Sequence, residues 1–279
     1  MPLKLMYITN RPAVAKIAED AGVDRIFVDM EYIGKAARQG GMDTVQSHHT
    51  VEDVRALRGV LSKAELLVRV NPVHDATPEH TSTEAEIDAV VAAGADIVML
   101  PFFRTAAEVA RFLRAVGGRC RTMLLFETPA SIDNLQEILA LPGINEVFIG
   151  LNDLSLGYGK KFMFELLADG TVERICLAFR EHGLPYGFGG IAGIGTGTLP
   201  AEAILKEHYR LGSSMVILSR SFCNSAKVTD LDTIREHFTT GIRTMRAFEE
   251  EIAIHSSYFT RNRAFVGHCV QDILGKLVQ

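Results

Sequence analysis

Two runs, Thr122-Met-Leu-Leu-Phe-Glu127 and Glu146-Val-Phe-Ile-Gly-Leu-Asn-Asp153, decide the fold. Each is short, apolar and β-rich, and each closes on a carboxylate. A strand buried on both faces reads as such a run, and buried strands of this kind belong to parallel sheets covered by helices. In a parallel barrel the carboxyl ends of neighbouring strands face one mouth, so Glu127 and Asp153 can converge there on a single divalent cation. A third run, Leu66-Leu-Val-Arg-Val-Asn-Pro72, would bring the fixed positive charge of Arg69 to the same mouth, where an anionic substrate could be gripped from two sides.

The rest of the chain repeats the alternation. Candidate strands are Lys4 to Thr9, Arg25 to Met30, Glu65 to Val70, Asp96 to Pro101, Thr122 to Glu127, Glu146 to Gly150, Tyr186 to Ile191 and Met215 to Ser219. Helix-period segments lie between them at Pro12 to Ala21, Val51 to Leu61, Glu84 to Ala93, Ala106 to Val116, Ser131 to Leu139, Val172 to Glu181 and Ala201 to Tyr209. Four of these stop at a glycine (Gly22, Gly94, Gly183, Gly212) just before the next strand, as a left-handed cap requires. The pattern predicts an α/β chain folded as a (β/α)8 TIM barrel. An open doubly wound sheet is disfavoured, because no Gly-x-Gly-x-x-Gly follows the first strand.

The expected organisation is one domain over 1–279, with the barrel over about 3–225 and a helical extension over about 229–279. In the extension, Leu231, Ile234, Phe238, Ile242, Met245 and Phe248 recur at helical spacing, so Asp230 to Ile254 reads as one long helix. Its apolar stripe and that of Tyr258 to Val278 need a surface, either the barrel or a neighbouring subunit, which makes a homo-oligomer an expectation.

With 279 residues, 47% hydrophobic and 23% charged, the chain is long enough for one large core. A net charge of −5, with both signs interspersed, gives no basic surface for nucleic acid. The start lacks the pattern of a signal peptide and no apolar run has the length of a membrane span, so a cytoplasmic location is expected. Cys120, Cys176, Cys223 and Cys269 are far apart and suggest reduced thiols.

Phe27-Val-Asp-Met-Glu31, Val68-Arg-Val-Asn-Pro72, Val98-Met-Leu-Pro101, Phe126-Glu-Thr-Pro129 and Leu141-Pro-Gly-Ile-Asn-Glu-Val-Phe-Ile-Gly-Leu-Asn-Asp-Leu-Ser155 occur in an order and spacing that resembles the HpcH/HpaI family of class II oxo-acid aldolases and the related citrate lyase β-subunits. The likeness spans roughly residues 4 to 225. It implies a pyruvate-binding barrel in which Glu127 and Asp153 hold Mg2+, with Mn2+ or Co2+ as alternatives, and Arg69 binds the carboxylate or enolate end of the substrate. Gly150, Leu151, Asn152 and Tyr32 are read as further substrate-binding positions. The reaction implied is cleavage or formation of a carbon–carbon bond between a pyruvate-type enolate and an aldehyde, in a trimer or hexamer.

Two departures from the family pattern matter. Aldolases of the family carry Asp-x-Glu-His after the second strand, whereas this chain has Asp29-Met-Glu31-Tyr32, and tyrosine titrates too high to be a ready base at neutral pH. His48 or His49, in the long connection from Tyr32 to Thr50, is the candidate substitute, with Asp29 orienting it or metal-bound water; His74 and His80 occupy the next connection. Leu125 stands where aldolases place glutamine and leans towards the citrate lyase branch. A citrate lyase-like acyl or acyl-CoA lyase, and a barrel that binds oxo acids without catalysis, are therefore the alternatives. The glycine-rich run Gly187 to Thr198, with Thr198 as a prospective helix cap and Arg220 nearby, is a candidate phosphate loop or a plain packing turn. No lysine ends a strand as a Schiff-base aldolase requires.

Overall fold

The computed structural model describes residues 2–34 and 47–277. Eight parallel strands close on themselves in sequence order: β1 (Lys4–Ile8), β2 (Arg25–Asp29), β3 (Glu65–Arg69), β4 (Ile97–Leu100), β5 (Arg121–Phe126), β6 (Glu146–Ile149), β7 (Tyr186–Ile191) and β8 (Met215–Leu218), with β8 pairing back onto β1. The TIM barrel expected from the alternation is present, with every strand inside or within one residue of its expected span.

Two apolar layers hold it. The outward faces of the strands, such as Ile26, Val28, Leu66, Val68, Leu124 and Phe126, pack with Val14, Leu57, Val90, Val109 and Phe112 of the surrounding helices. Burying each such side chain contributes roughly 1.5–3 kcal/mol. The inward faces form a separate cluster of Met6, Phe27, Leu67, Ile97, Met99, Met123, Leu125, Phe148 and Met215, which fills the barrel's middle.

Because side chains alternate along a strand, the inward residues flanking that plug are fixed two positions away. Towards the amino ends they are Arg25, Glu65, Arg121 and Glu146, which tie into one ionic lattice. Arg25 bonds Glu65 at 2.7 Å and Glu146 at 2.5 and 2.7 Å, and Arg121 bonds both Glu65 and Glu146. Towards the carboxyl ends the same alternation delivers Asp29, Arg69, Glu127 and Gly150. The barrel is thus sealed by salt bridges at one end and charged and open at the other.

The helices follow their local signals. Thr50 and Thr105 each form a reciprocal capping box with the acid three residues on, Asp53 and Glu108. Gly22, Gly94, Gly183 and Gly212 all take positive φ, as the stop signals required. The expected helix Ser131 to Leu139 is two short ones, Pro129–Asp133 and Leu135–Leu139, because Asn134 between them turns its side chain onto the carbonyls of Ala130 and Arg104.

The long helix spans Leu231–Ala253 and lies against the helices Pro12–Asp20 and Ala201–Leu211, burying Ile234, Phe238, Ile242 and Met245. Leu231, at its first position, is exposed instead. Phe259–Leu277 follows and packs on Ala201–Leu211 and Glu165–Ala168. Among the described residues no helix is long and apolar enough to cross a membrane.

Candidate active site

At the open end, Asp29 and Arg69 are direct neighbours in the β2–β3 register. Nε and Nη2 of Arg69 each reach one oxygen of Asp29 at 2.8 Å, a two-toothed fork that fixes the plane of the guanidinium. Glu31, buried just beyond β2, lies 3.4 Å from Nη1. Burial disfavours the charge on Arg69, but Asp29, Glu31 and Glu127 outweigh it and raise its pKa. The side chain also lies over the Phe27 ring, 5.5 Å from its centre.

Glu127 follows β5 directly and is buried. Burial pushes its carboxyl well above the usual carboxylate range, and the charges of Glu31 and Asp153 push the same way. Arg69 and the backbone N–H of Phe102, which donates to Oε1 at 3.0 Å, oppose them. Phe102 holds a left-handed φ of 50°, and no other non-glycine among the described residues has positive φ. Gly150 supplies the room: a Cβ there would lie 2.7 Å from Oε2 of Glu127.

Asp153 does not end a strand, as its sequence context suggested. β6 stops at Ile149, and Asp153 sits in the first turn of a short helix, Leu151–Gly157, which Gly150 opens. It still reaches the mouth. A cavity of about 480 Å³ is lined by Asp29, Arg69, Glu127 and Asp153, by Gly150, Leu151 and Asn152, and by His49. Its floor is the upper surface of the apolar plug, Phe27, Met99, Leu125 and Phe148. Glu127 and Asp153 also line a hollow of about 380 Å³ with Phe102, Arg104, Pro129 and Leu156. Among the described residues no group of three or more His, Cys, Asp or Glu side chains is arranged to hold a metal.

The two candidate histidines separate. His49 lines the cavity, and its Nδ1 accepts the backbone N–H of Asp29 at 3.0 Å. A neutral His49 therefore carries its proton on Nε2. His48 is exposed and is not among the described lining residues. Residues 35–46 of the same connection lie outside the described residues.

Tyr32 is also absent from the described lining. It is 44% exposed and its hydroxyl pairs with Nδ1 of His80 at 3.1 Å. His74 bonds the carbonyls of Pro72 and Thr81 and so braces its own loop.

The glycine-rich run opens a helix at Ala201, but Thr198 does not cap it; Pro200 holds the cap position without a side-chain bond. The Gly195 amide, one of those offered to a phosphate, donates to Glu202 at 2.8 Å. The sequence reading missed Asn10, Arg11, Asn224 and Ser225, which line the cavity from the β1 and β8 ends. Their signal was position alone, since any residue following a barrel strand faces the mouth.

A closed parallel barrel that gathers acids and an arginine at its carboxyl mouth has the layout of a (β/α)8 barrel enzyme. The model of the HpcH/HpaI aldolase/citrate lyase family matches residues 4–186, and the chain belongs to that family, which makes it a lyase-type enzyme. Among solved structures, an HpcH/HpaI aldolase from Desulfitobacterium hafniense superposes with TM-score 0.60 at 16% identity, covering 84% of this chain and 93% of that one. An HpcH/HpaI aldolase/citrate lyase family protein from Burkholderia cenocepacia gives 0.60 at 18%, covering 84% and 95%. The citrate synthase SbnG gives 0.58 at 15%, covering 83% and 92%. Identities this low establish a shared fold. No curated protein matches the chain.

Proposed function

We propose that the chain is a metal-dependent carbon–carbon lyase of the class II aldolase type, acting between a pyruvate-type enolate and an aldehyde. The observation that carries this reading is that Glu127, Asp153 and Arg69 line one cavity. Asp29, Glu31 and Glu127 crowd around Arg69, and Glu31 and Asp153 act on Glu127, so the acids gather about the position where a dication would be held. Two carboxylates leave most coordination positions to water and substrate oxygens, a donor set that fits Mg2+, with Mn2+ or Co2+ as substitutes.

A divalent ion held by Glu127 and Asp153 would supply positive charge beside an enolate oxygen. Arg69, locked in plane by Asp29, binds the carboxylate end of the oxo acid and orients it. The apolar floor of Phe27, Met99, Leu125 and Phe148 keeps water from beneath the reacting carbon. His49, with Nδ1 occupied and its proton on Nε2, is a hydrogen-bond donor, and the role it fits is stabilising the alkoxide oxygen of the aldehyde half. That differs from abstracting a proton, the task of the family histidine that Tyr32 replaces.

We extend the proposal to one cytoplasmic domain acting as a homo-oligomer, trimer or hexamer. The support for the oligomer is the exposure of Ile254, just past the long helix, and of Phe265 and Leu277 on the last one.

NMR of pyruvate in D2O tests the reading. Loss of the methyl proton signal is expected with wild-type protein plus Mg2+ or Mn2+, and neither exchange nor metal binding with Glu127→Ala. Exchange that persists in the metal-free variant would sink it. Leu125 in the floor favours a second reading, an acyl or acyl-CoA lyase, and thioester-dependent turnover without activity on free oxo acids would select it.

A further inference from the structure

A carboxylate outside the cavity is buried without a cation. Glu86 lies in the first turn of the helix Thr83–Ala92, and among the described residues no lysine or arginine bonds it. Burial pushes its carboxyl upward, and the bonds from Asn71 oppose that rise. All its side-chain hydrogen bonds run to that one residue: the backbone N–H of Asn71 lies 3.2 Å from each oxygen, and Nδ2 donates to Oε1 at 2.8 Å. An apolar side chain in its place would cost the fold less than a buried acid.

What the carboxylate supplies is the orientation of the Asn71 amide. A carboxylate only accepts, so it selects the NH2 group of Asn71 and leaves Oδ1 facing the other way. Oδ1 accepts the backbone N–H groups of Tyr32 and Ile33, each at 3.0 Å. Glu31, just before them, donates its own N–H to Oδ1 of Asp29 at 3.2 Å. The turn after β2 is thus pinned on both sides of the Glu31 carboxylate, which stands 3.4 Å from Nη1 of Arg69. Asp29 already occupies Nε and Nη2, so Glu31 competes with an incoming anion at Nη1, and an approach of about half an ångström would bring it to full hydrogen-bond distance.

We propose that Asn71 and Glu86 are positioning residues: as a buried pair they fix the turn after β2 and keep Glu31 at its distance from Arg69. Resting on the lyase reading for the identity of the ligand, the pair thereby sets how firmly Arg69 grips the carboxylate of an oxo acid. Neither is among the described lining residues of the cavity, so both act through Tyr32, Ile33 and Glu31.

Three variants separate positioning from stability. Glu86→Gln keeps an oxygen for Asn71, and Glu86→Leu removes it. Asn71→Leu combined with Glu86→Leu replaces the polar pair by apolar side chains of similar size and leaves the amides of Tyr32 and Ile33 without their acceptor. In titration calorimetry of Mn2+-loaded protein with pyruvate, Glu86→Gln is expected within about twofold of wild type, and both Leu variants about tenfold weaker, the scale of one charge-assisted hydrogen bond. Hydrogen exchange at the Tyr32 and Ile33 amides should quicken about tenfold or more in the Leu variants and stay slow in Glu86→Gln. Thermal melts verify that each variant is folded.

Folded Leu variants whose amides still exchange slowly, or whose pyruvate affinity stays at the wild-type value, overturn the proposal, as does a Glu86→Gln variant no better than Glu86→Leu. Wild-type protein that does not bind pyruvate strikes the lyase reading alone, and amide exchange in the Leu variants then decides for or against the pair.

Discussion

The backbone amide of Phe102 donates to Oε1 of Glu127 across 3.0 Å, and Phe102 holds a φ of 50° where it does so. Left-handed backbone costs a residue with a Cβ about 1–2 kcal/mol, and more for a β-branched side chain. Phe102→Gly keeps the donor and relieves the strain, so Mn2+ affinity should stay near wild type. Phe102→Val should destabilise the fold by about 1–3 kcal/mol and weaken Mn2+ binding. Titration calorimetry with thermal melts checks both, and a Val variant with intact metal affinity would show that the amide does not position Glu127.

Gly150→Ala probes the same carboxylate from the opposite side. Its Cβ would stand 2.7 Å from Oε2 and 2.8 Å from Cβ of Glu127, too close for either to stay in place. We expect a melting temperature within a few degrees of wild type but Mn2+ binding weakened about tenfold or more. Unchanged affinity would mean that Glu127 has slack to move.

The sealed end of the barrel makes a stability prediction. Arg25 is fully buried between Glu65 and Glu146, and removing one member of a buried ionic lattice strands its partners. Arg25→Ala should cost about 3–5 kcal/mol in urea unfolding, whereas Arg25→Leu combined with Glu146→Leu should cost much less. A small loss in the single variant would show that water enters the lattice.

Glu19 links stability to acid. Burial alone would raise its pKa, but Lys16 and the amides of Ser62, Lys63 and Ala64 outweigh burial and hold it at about 2, against an ordinary 4.5. A depressed folded pKa stabilises above the ordinary value, and that stabilisation is lost as pH falls from about 4.5 towards 2. Glu19→Ala should lower stability at pH 7 by about 2–3 kcal/mol and flatten the loss below pH 4.5. Parallel pH curves for the two proteins would contradict this.

The barrel was legible in the sequence because its signals are local: apolar runs of strand length, and glycines where helices must stop. The same alternation that buries Phe27, Leu67 and Met123 also orders Arg25 with Asp29, Glu65 with Arg69, and Arg121 with Glu127 at fixed offsets, so the convergence of Arg69 and Glu127 could be inferred from strand parity. Other parts had no such marker. The Phe102 amide is a backbone donor, and a backbone donor leaves no side-chain signature. Asp153 was read as the close of a strand-like run because Leu151-Asn-Asp-Leu continues that run in composition, while Gly150 has already released the chain into a helix. Thr198 failed as a cap because Pro200, nearer the helix, takes that position.

The ionic lattice and apolar plug beneath the site make the barrel a vessel with one mouth. A molecule that settles against Arg69 on the floor is covered by whatever enters after it, and it cannot leave by the amino end. For the proposed reaction, arrival and departure would therefore be nested: the oxo acid would enter first and depart last, and the aldehyde half would come and go above it. In steady-state kinetics such nesting appears as a strict order of addition, with an oxo-acid analogue competitive against its own kind alone.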